Sequence, residues 1–95
     1  MPEHGAGAPT LDAIESTLTD GYAEALALEA ERSRIERRLG EVARGADDTA
    51  DVQEFARLHE RLETADGELA RLRSLLRDLQ ARRRSARDLR SRAAS

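Results

Sequence analysis

Two apolar heptads separated by one short break constrain this chain more than any other feature. From Leu11, a spacing of three then four residues lands on Leu11, Ile14, Leu18, Gly21, Ala25, Leu28, Arg32, Ile35, Leu39 and Val42. From Phe55 the same spacing lands on Phe55, Leu58, Leu62, Ala65, Leu69, Leu72, Leu76 and Leu79, and it continues through Arg83, Ala86 and Arg90. An apolar period of about 3.5 residues held for this long is a coiled-coil pattern. The break, Arg44-Gly45-Ala46-Asp47-Asp48-Thr49, is short enough that the second helix must turn back along the first. The expected fold is all-α, an antiparallel two-helix coiled-coil hairpin.

Composition supports a rod rather than a globule. The 95 residues contain one Phe, one Tyr and no Trp, so Leu and Ala must supply nearly all the apolar surface. Charged residues make up 37% of the chain, a proportion that would mean disorder without the helical spacing. There is no Cys, which excludes disulfides and thiolate metal sites. The formal net charge of -3 hides a partition. Up to Glu31 the chain carries acids and no Lys or Arg, whereas Arg82, Arg83, Arg84, Arg87, Arg90 and Arg92 face only Asp88 near the other end. No apolar run approaches the roughly 20 residues that span a bilayer. The first residues lack the basic and apolar parts of a signal peptide. A cytoplasmic protein with no membrane contact is the expectation.

Residues 1–9 read as a disordered arm, 10–90 as the hairpin and 91–95 as a frayed tail. Within the hairpin, helix 1 covers about 10–44, the turn 45–48 and helix 2 about 49–90. Thr10 is a suitable N-cap, and Gly45 offers the left-handed conformation that closes many helices. Asp47, Asp48 and Thr49 can each cap helix 2. A turn centred on Gly45 pairs Ile35 with Phe55, Leu28 with Leu62, Leu18 with Leu72 and Ile14 with Leu76. It flanks them with the attractive pairs Arg38–Glu54, Glu31–Arg61 and Glu15–Arg73, against one repulsive pair, Glu24–Glu68. Sliding by one heptad is expected to set Arg38 against Arg61 and Glu31 against Glu68, which disfavours it. In the Gly45-centred register helix 2 overhangs helix 1 by more than about four turns.

A lone seam of this size is marginal, which points to self-association, with a four-helix bundle as one outcome. Tyr22, Leu26 and Leu75 lie outside the seam and are the candidate docking residues. Arg83, Arg87 and Arg90 are candidates for binding an unidentified protein partner. The same arginines could instead bind nucleic-acid phosphates, although no aromatic residue is interleaved for base stacking. Arg32 occupies a seam position, where it either sets register or lays its stem along the seam and snorkels. His59 and Glu63 share a helical face but lack the second His of a zinc-binding helix. No nucleophile elbow, phosphate loop or dinucleotide fingerprint is present. The reading is a non-enzymatic protein-interaction or scaffolding module, a small regulator without catalytic residues, metal or cofactor.

The tip adds a resemblance. Asp48-Thr49-Ala50-Asp51-Val52-Gln53-Glu54-Phe55 resembles the acidic fingertip of Gre transcript-cleavage factors, an acidic-x-x-acidic-x-x-Glu-aromatic pattern. Glu31-Arg32-Ser33-Arg34-Ile35 with Leu39, and Leu18-Thr19-Asp20-Gly21-Tyr22, are similar to the first helix of that family's N-terminal hairpin domain. The resemblance covers residues 18–80 and does not extend to the family's C-terminal domain. Val52 stands where the family has Asn. The resemblance implies a coiled-coil hairpin that enters the secondary channel of RNA polymerase and regulates transcription, with Asp48 and Asp51 helping to hold a magnesium ion.

Overall fold

The computed structural model describes residues 10–45 and 49–94, and these form two helices, α1 (Leu11–Arg44) and α2 (Thr49–Ala94). They lie antiparallel as a rod 69 × 26 × 14 Å. The long dimension is the length of α2, whose 46 residues at about 1.5 Å each account for it. The expected arm at 1–9 and the turn residues 46–48 lie outside the described residues. The helix does not fray at 91 but continues to Ala94.

Each end of α1 has an identifiable cause. Thr10 is extended (φ -69°, ψ 160°), and its Oγ1 accepts from the Ala13 N–H at 3.1 Å while its carbonyl accepts from the Ile14 N–H. Two donors of the first turn are thereby satisfied, and Asp12 adds a negative charge at the positive end of the helix dipole. At the other end Gly45 has φ -111°, so the expected left-handed closure does not occur. Its N–H is shared between the carbonyls of Glu41 and Val42, and the chain reverses beyond it. A tightened last turn consumes those carbonyls without a positive φ, so glycine is not required there for its backbone freedom.

The heptads mark the interface closely. Every seam position of α1 from Leu11 to Val42, and of α2 from Leu58 to Ala86, is buried or half-buried. Two apolar clusters result. Toward the open end Ile14, Leu18 and Leu76 pack with Ala25, Leu72, Leu79 and Ala86. Toward the tip Ile35, Val42 and Leu58 pack with Leu39 and Leu62. Buried Ala65 and Leu69 also lie on the seam of α2. Every buried side chain among the described residues is apolar.

The register is the one the sequence reading disfavoured. Gly21 stands against Leu76, and counting outward from them sets Ile35 level with Leu62, Leu39 with Leu58 and Leu18 with Leu79. The pairing of Ile35 with Phe55 is not made, and Phe55 is 40% exposed. Compared with the Gly45-centred hairpin, α2 has slid by one heptad, and the reversal is centred beyond Gly45. The feared clashes of Arg38 with Arg61 and Glu31 with Glu68 do not follow. Flanking side chains meet partners about one turn away from the level position, toward the tip on one flank and toward the open end on the other. Arg38 therefore still reaches Glu54, at 3.0 Å, and Glu31 still reaches Arg61, at 3.9 Å. What changes lies at the open end, where Glu15 pairs with Arg87 at 2.6 Å instead of with Arg73, and Arg73 pairs with Glu29. The overhang shrinks accordingly. Leu11 is level with Ala86, leaving about two turns of α2 beyond α1.

The slid register explains Gly21. A Cβ placed there would lie 2.5 Å from Leu76 Cδ2, a buried side chain held in one cluster with Ile14 and Leu18 and so with little room to move. Gly67 has only the Arg71 guanidinium nearby, at 3.7 Å. Alanine gains roughly 1 kcal/mol of helix propensity at either position, but overpacking a seam costs about 1–3 kcal/mol. Gly67→Ala should therefore raise the urea midpoint while Gly21→Ala lowers it. Spin labels on exposed positions test the register directly. Labels at 19 and 77 should lie closer together than labels at 19 and 70, whereas the Gly45-centred hairpin reverses that order.

Candidate interaction surfaces

A seam confined to the two heptad stripes leaves the rod with two side flanks, and each is built from the residues that border the stripe. On the first flank Arg87 Nη2 donates to Glu15, Gln80 Nε2 donates to the Tyr22 hydroxyl, and Arg73 pairs with Glu29. Arg32 completes this row. Its Nε–H donates to Asp66 across the seam, and its Nη2 lies 3.5 Å from Glu36 in its own helix. The hydrogen bond to Asp66, followed by the charges of Asp66 and Glu36, holds the pKa of the Arg32 guanidinium above its ordinary value. Arg32 thus takes the snorkelling alternative. Its stem lies at the seam, its head is in water, and the head selects a partner on the other helix.

On the second flank Arg38 binds Glu54 in bidentate fashion, at 3.0 and 3.2 Å, and also reaches Glu41. Bonds to Glu54 and then Glu41 hold its guanidinium above its ordinary value. Paired, planar contacts of this kind suit Arg better than Lys. Nearer the middle of the rod this flank opens into a groove lined by Glu24, Ala27, Leu28, Glu68, Leu72 and Leu75. Glu24 and Glu68, the like-charged pair expected from the sequence, both border it. Exposed pairs on either flank contribute about 0.2–1 kcal/mol each, so they reinforce the register only weakly.

The candidate binding residues do not form one patch. Tyr22 (39% exposed) and Leu26 (67%) sit one turn apart on the first flank, whereas Leu75 (60%) belongs to the groove on the second. A single docked helix cannot cover all three. The arginines are also dispersed. Arg87 is used by Glu15, Arg83 lies in the seam with a buried Nε that has no hydrogen-bond partner, and Arg90 sits past the start of α1 beside Leu11. Sequence reasoning missed Leu89, 64% exposed, which lies two heptads beyond Leu75 in the same helical row. That spacing was its only signal. Val52, 61% exposed, had none.

At the tip, Asp51 falls in the first turn of α2, while Asp48 lies outside the described residues. His59 lies 3.7 Å from Glu63 as an intrahelical pair. No group of three or more His, Asp or Glu side chains among the described residues is placed to hold a metal ion. No helix of the described residues is long and apolar enough to cross a membrane. No family model, curated protein or solved structure matches the chain.

The orphaned Arg83 Nε carries a measurable cost. A buried donor without a partner forfeits about 1–3 kcal/mol, and the position continues the apolar stripe between Leu79 and Ala86. Arg83→Leu should stabilise the hairpin by about 1 kcal/mol in denaturant unfolding. A loss of stability would mean that the charge, not the stem, is what the site uses.

Proposed function

We propose that this chain is a non-enzymatic binding rod, a small cytoplasmic regulator or scaffold that engages a protein partner along its side. The observation that carries this reading is the division of its surface. Among the described residues every fully buried side chain lies on one seam, and the flanks present ordered ion pairs interrupted by exposed leucines. Such a surface offers a partner a few apolar anchors in a polar, charge-patterned rim, the arrangement that protein recognition uses. Leu75 and Leu89 on the second flank are the anchors for a partner other than the chain itself. Crosslinking in native lysate followed by mass spectrometry tests the reading. A discrete protein should be captured by the wild type and lost with Leu75→Glu, whose exposed position leaves helicity unchanged.

A second reading rests on the tip. Asp51, part of the segment that resembles the Gre fingertip, lies in the first turn of α2 at one end of a long rod. Two carboxylates three residues apart can share a hard cation with an acidic partner site. Asn can replace Asp as a cap with little loss of helix stability. The double substitution Asp48→Asn and Asp51→Asn should therefore preserve helicity and, in a polymerase-channel factor, reduce the effect on stalled transcription complexes by orders of magnitude. A wild-type protein with no effect on stalled complexes would exclude this reading.

A further inference from the structure

The first flank carries, outside its row of ion pairs, an outer row on each helix. Asp12 and Leu26 lie on α1, one turn from Glu15 and Tyr22, and Ala70, Arg77 and Arg84 lie on α2, one turn before Arg73, Gln80 and Arg87. All five are exposed, and among the described residues Asp12, Arg77 and Arg84 make no ion pair. The register that sets Gly21 against Leu76 brings Asp12 to within a residue of the height of Arg84, and Leu26 to within a residue of Ala70. The two helices therefore carry complementary features at the same heights on the same flank, too far apart on one rod to meet.

We infer that a second copy of the chain docks on this flank, related by a half-turn about the rod axis, with both tips at the same end. This deepens the binding-rod reading and rests on it. The half-turn lays α1 of one copy over α2 of the other, twice. Asp12 then meets Arg84 of the second copy, Leu26 covers the small side chain of Ala70 of the second copy, and the Tyr22 ring lies near Arg77 of the second copy. The result is a four-helix bundle in which acidic and basic helices alternate around the square. The same complementarity argues against an extended polyanion on this flank. A strand following Arg77 and Arg84 would run beside Asp12 and Glu15 at matching heights and be repelled by them. A copy with its tip at the opposite end would place Asp12 and Leu26 against other partners.

The absence of Cys makes the geometry directly testable, because any introduced thiol is the only one in its chain. Chains carrying Leu26→Cys mixed with chains carrying Ala70→Cys should form the mixed disulfide in preference to either homodisulfide. Chains carrying Leu75→Cys, on the opposite flank, should not crosslink. In sedimentation equilibrium Asp12→Arg alone or Arg84→Glu alone should each weaken dimerisation roughly tenfold, since two attractive contacts become two repulsive ones. An equimolar mixture of the two variants should restore it, because both contacts in the mixed dimer are again attractive. A wild-type monomer at tens of micromolar, absence of the mixed disulfide, or crosslinking through Leu75→Cys would each overturn the pairing. None of these results touches capture of another protein through the Leu75 flank. Conversely, failure of that capture would count against the binding-rod reading without undoing a dimer seen here.

Discussion

The close approach of Leu76 to the bare backbone at Gly21 determines how the two helices stand relative to one another. A seam made of Leu and Ala repeats can slide by a heptad with little change in the kind of residue buried, because leucine replaces leucine at most positions. Gly21 breaks that degeneracy by leaving a notch that one large side chain fills. Once Leu76 occupies it, the heights of all other residues follow. Arg32 comes within reach of Asp66, Glu29 of Arg73 and Glu15 of Arg87. The ion pairs are consequences of that fit and only weakly reinforce it.

The heptad positions, the helix boundaries at Leu11 and Arg44, and the Thr10 cap were legible in the sequence because each depends on local spacing and local hydrogen bonding. Register was not, for a specific reason. The charge pairs Arg38–Glu54 and Glu31–Arg61 were identified correctly but assigned to the wrong seam alignment, since flanking partners sit about a turn away from the residues they flank. Gly21 and Gly67 look alike in the sequence, each a helix-interior glycine that marks a bend or a close helix approach, and nothing in its own neighbourhood reveals that it is Gly21 whose space a residue far along the chain needs. The candidate surface suffered in the same way. Tyr22, Leu26 and Leu75 were each recognised as lying outside the stripe, but sorting them onto opposite flanks requires knowing which side each ion pair occupies.

The charge partition acquires a physical meaning once the helices are aligned. The acid-only beginning of α1 lies beside the arginine-rich end of α2, so the open half of the rod is held by attraction that α1 alone would lack. Only part of each charge set is consumed. Glu15 and Glu29 find partners within the hairpin, while Asp12, Arg77 and Arg84 remain on the outer rows. A rod whose inner rows are neutralised and whose outer rows keep opposite signs will bind through those rows to something carrying both signs in the same order.

Stability and recognition are coupled through the same narrow seam. A two-helix hairpin of this size buries too little to be strongly stable alone, and Arg32 and Arg83 dilute its stripe further. Replacing such residues by leucine would tighten the hairpin, yet it would also remove the head groups that distinguish one flank from the other. At Arg32 the compromise is resolved within the chain, because Asp66 and Glu36 satisfy the guanidinium outside the seam. At Arg83 it is unresolved, with an unpartnered Nε beside the open-end cluster. A protein of this kind can gain stability by covering a flank with another helical surface, whose added burial supplies what the single seam lacks. Binding would then complete the fold as well as use it, which ties the marginal seam to the exposed leucines and unspent charges on either side.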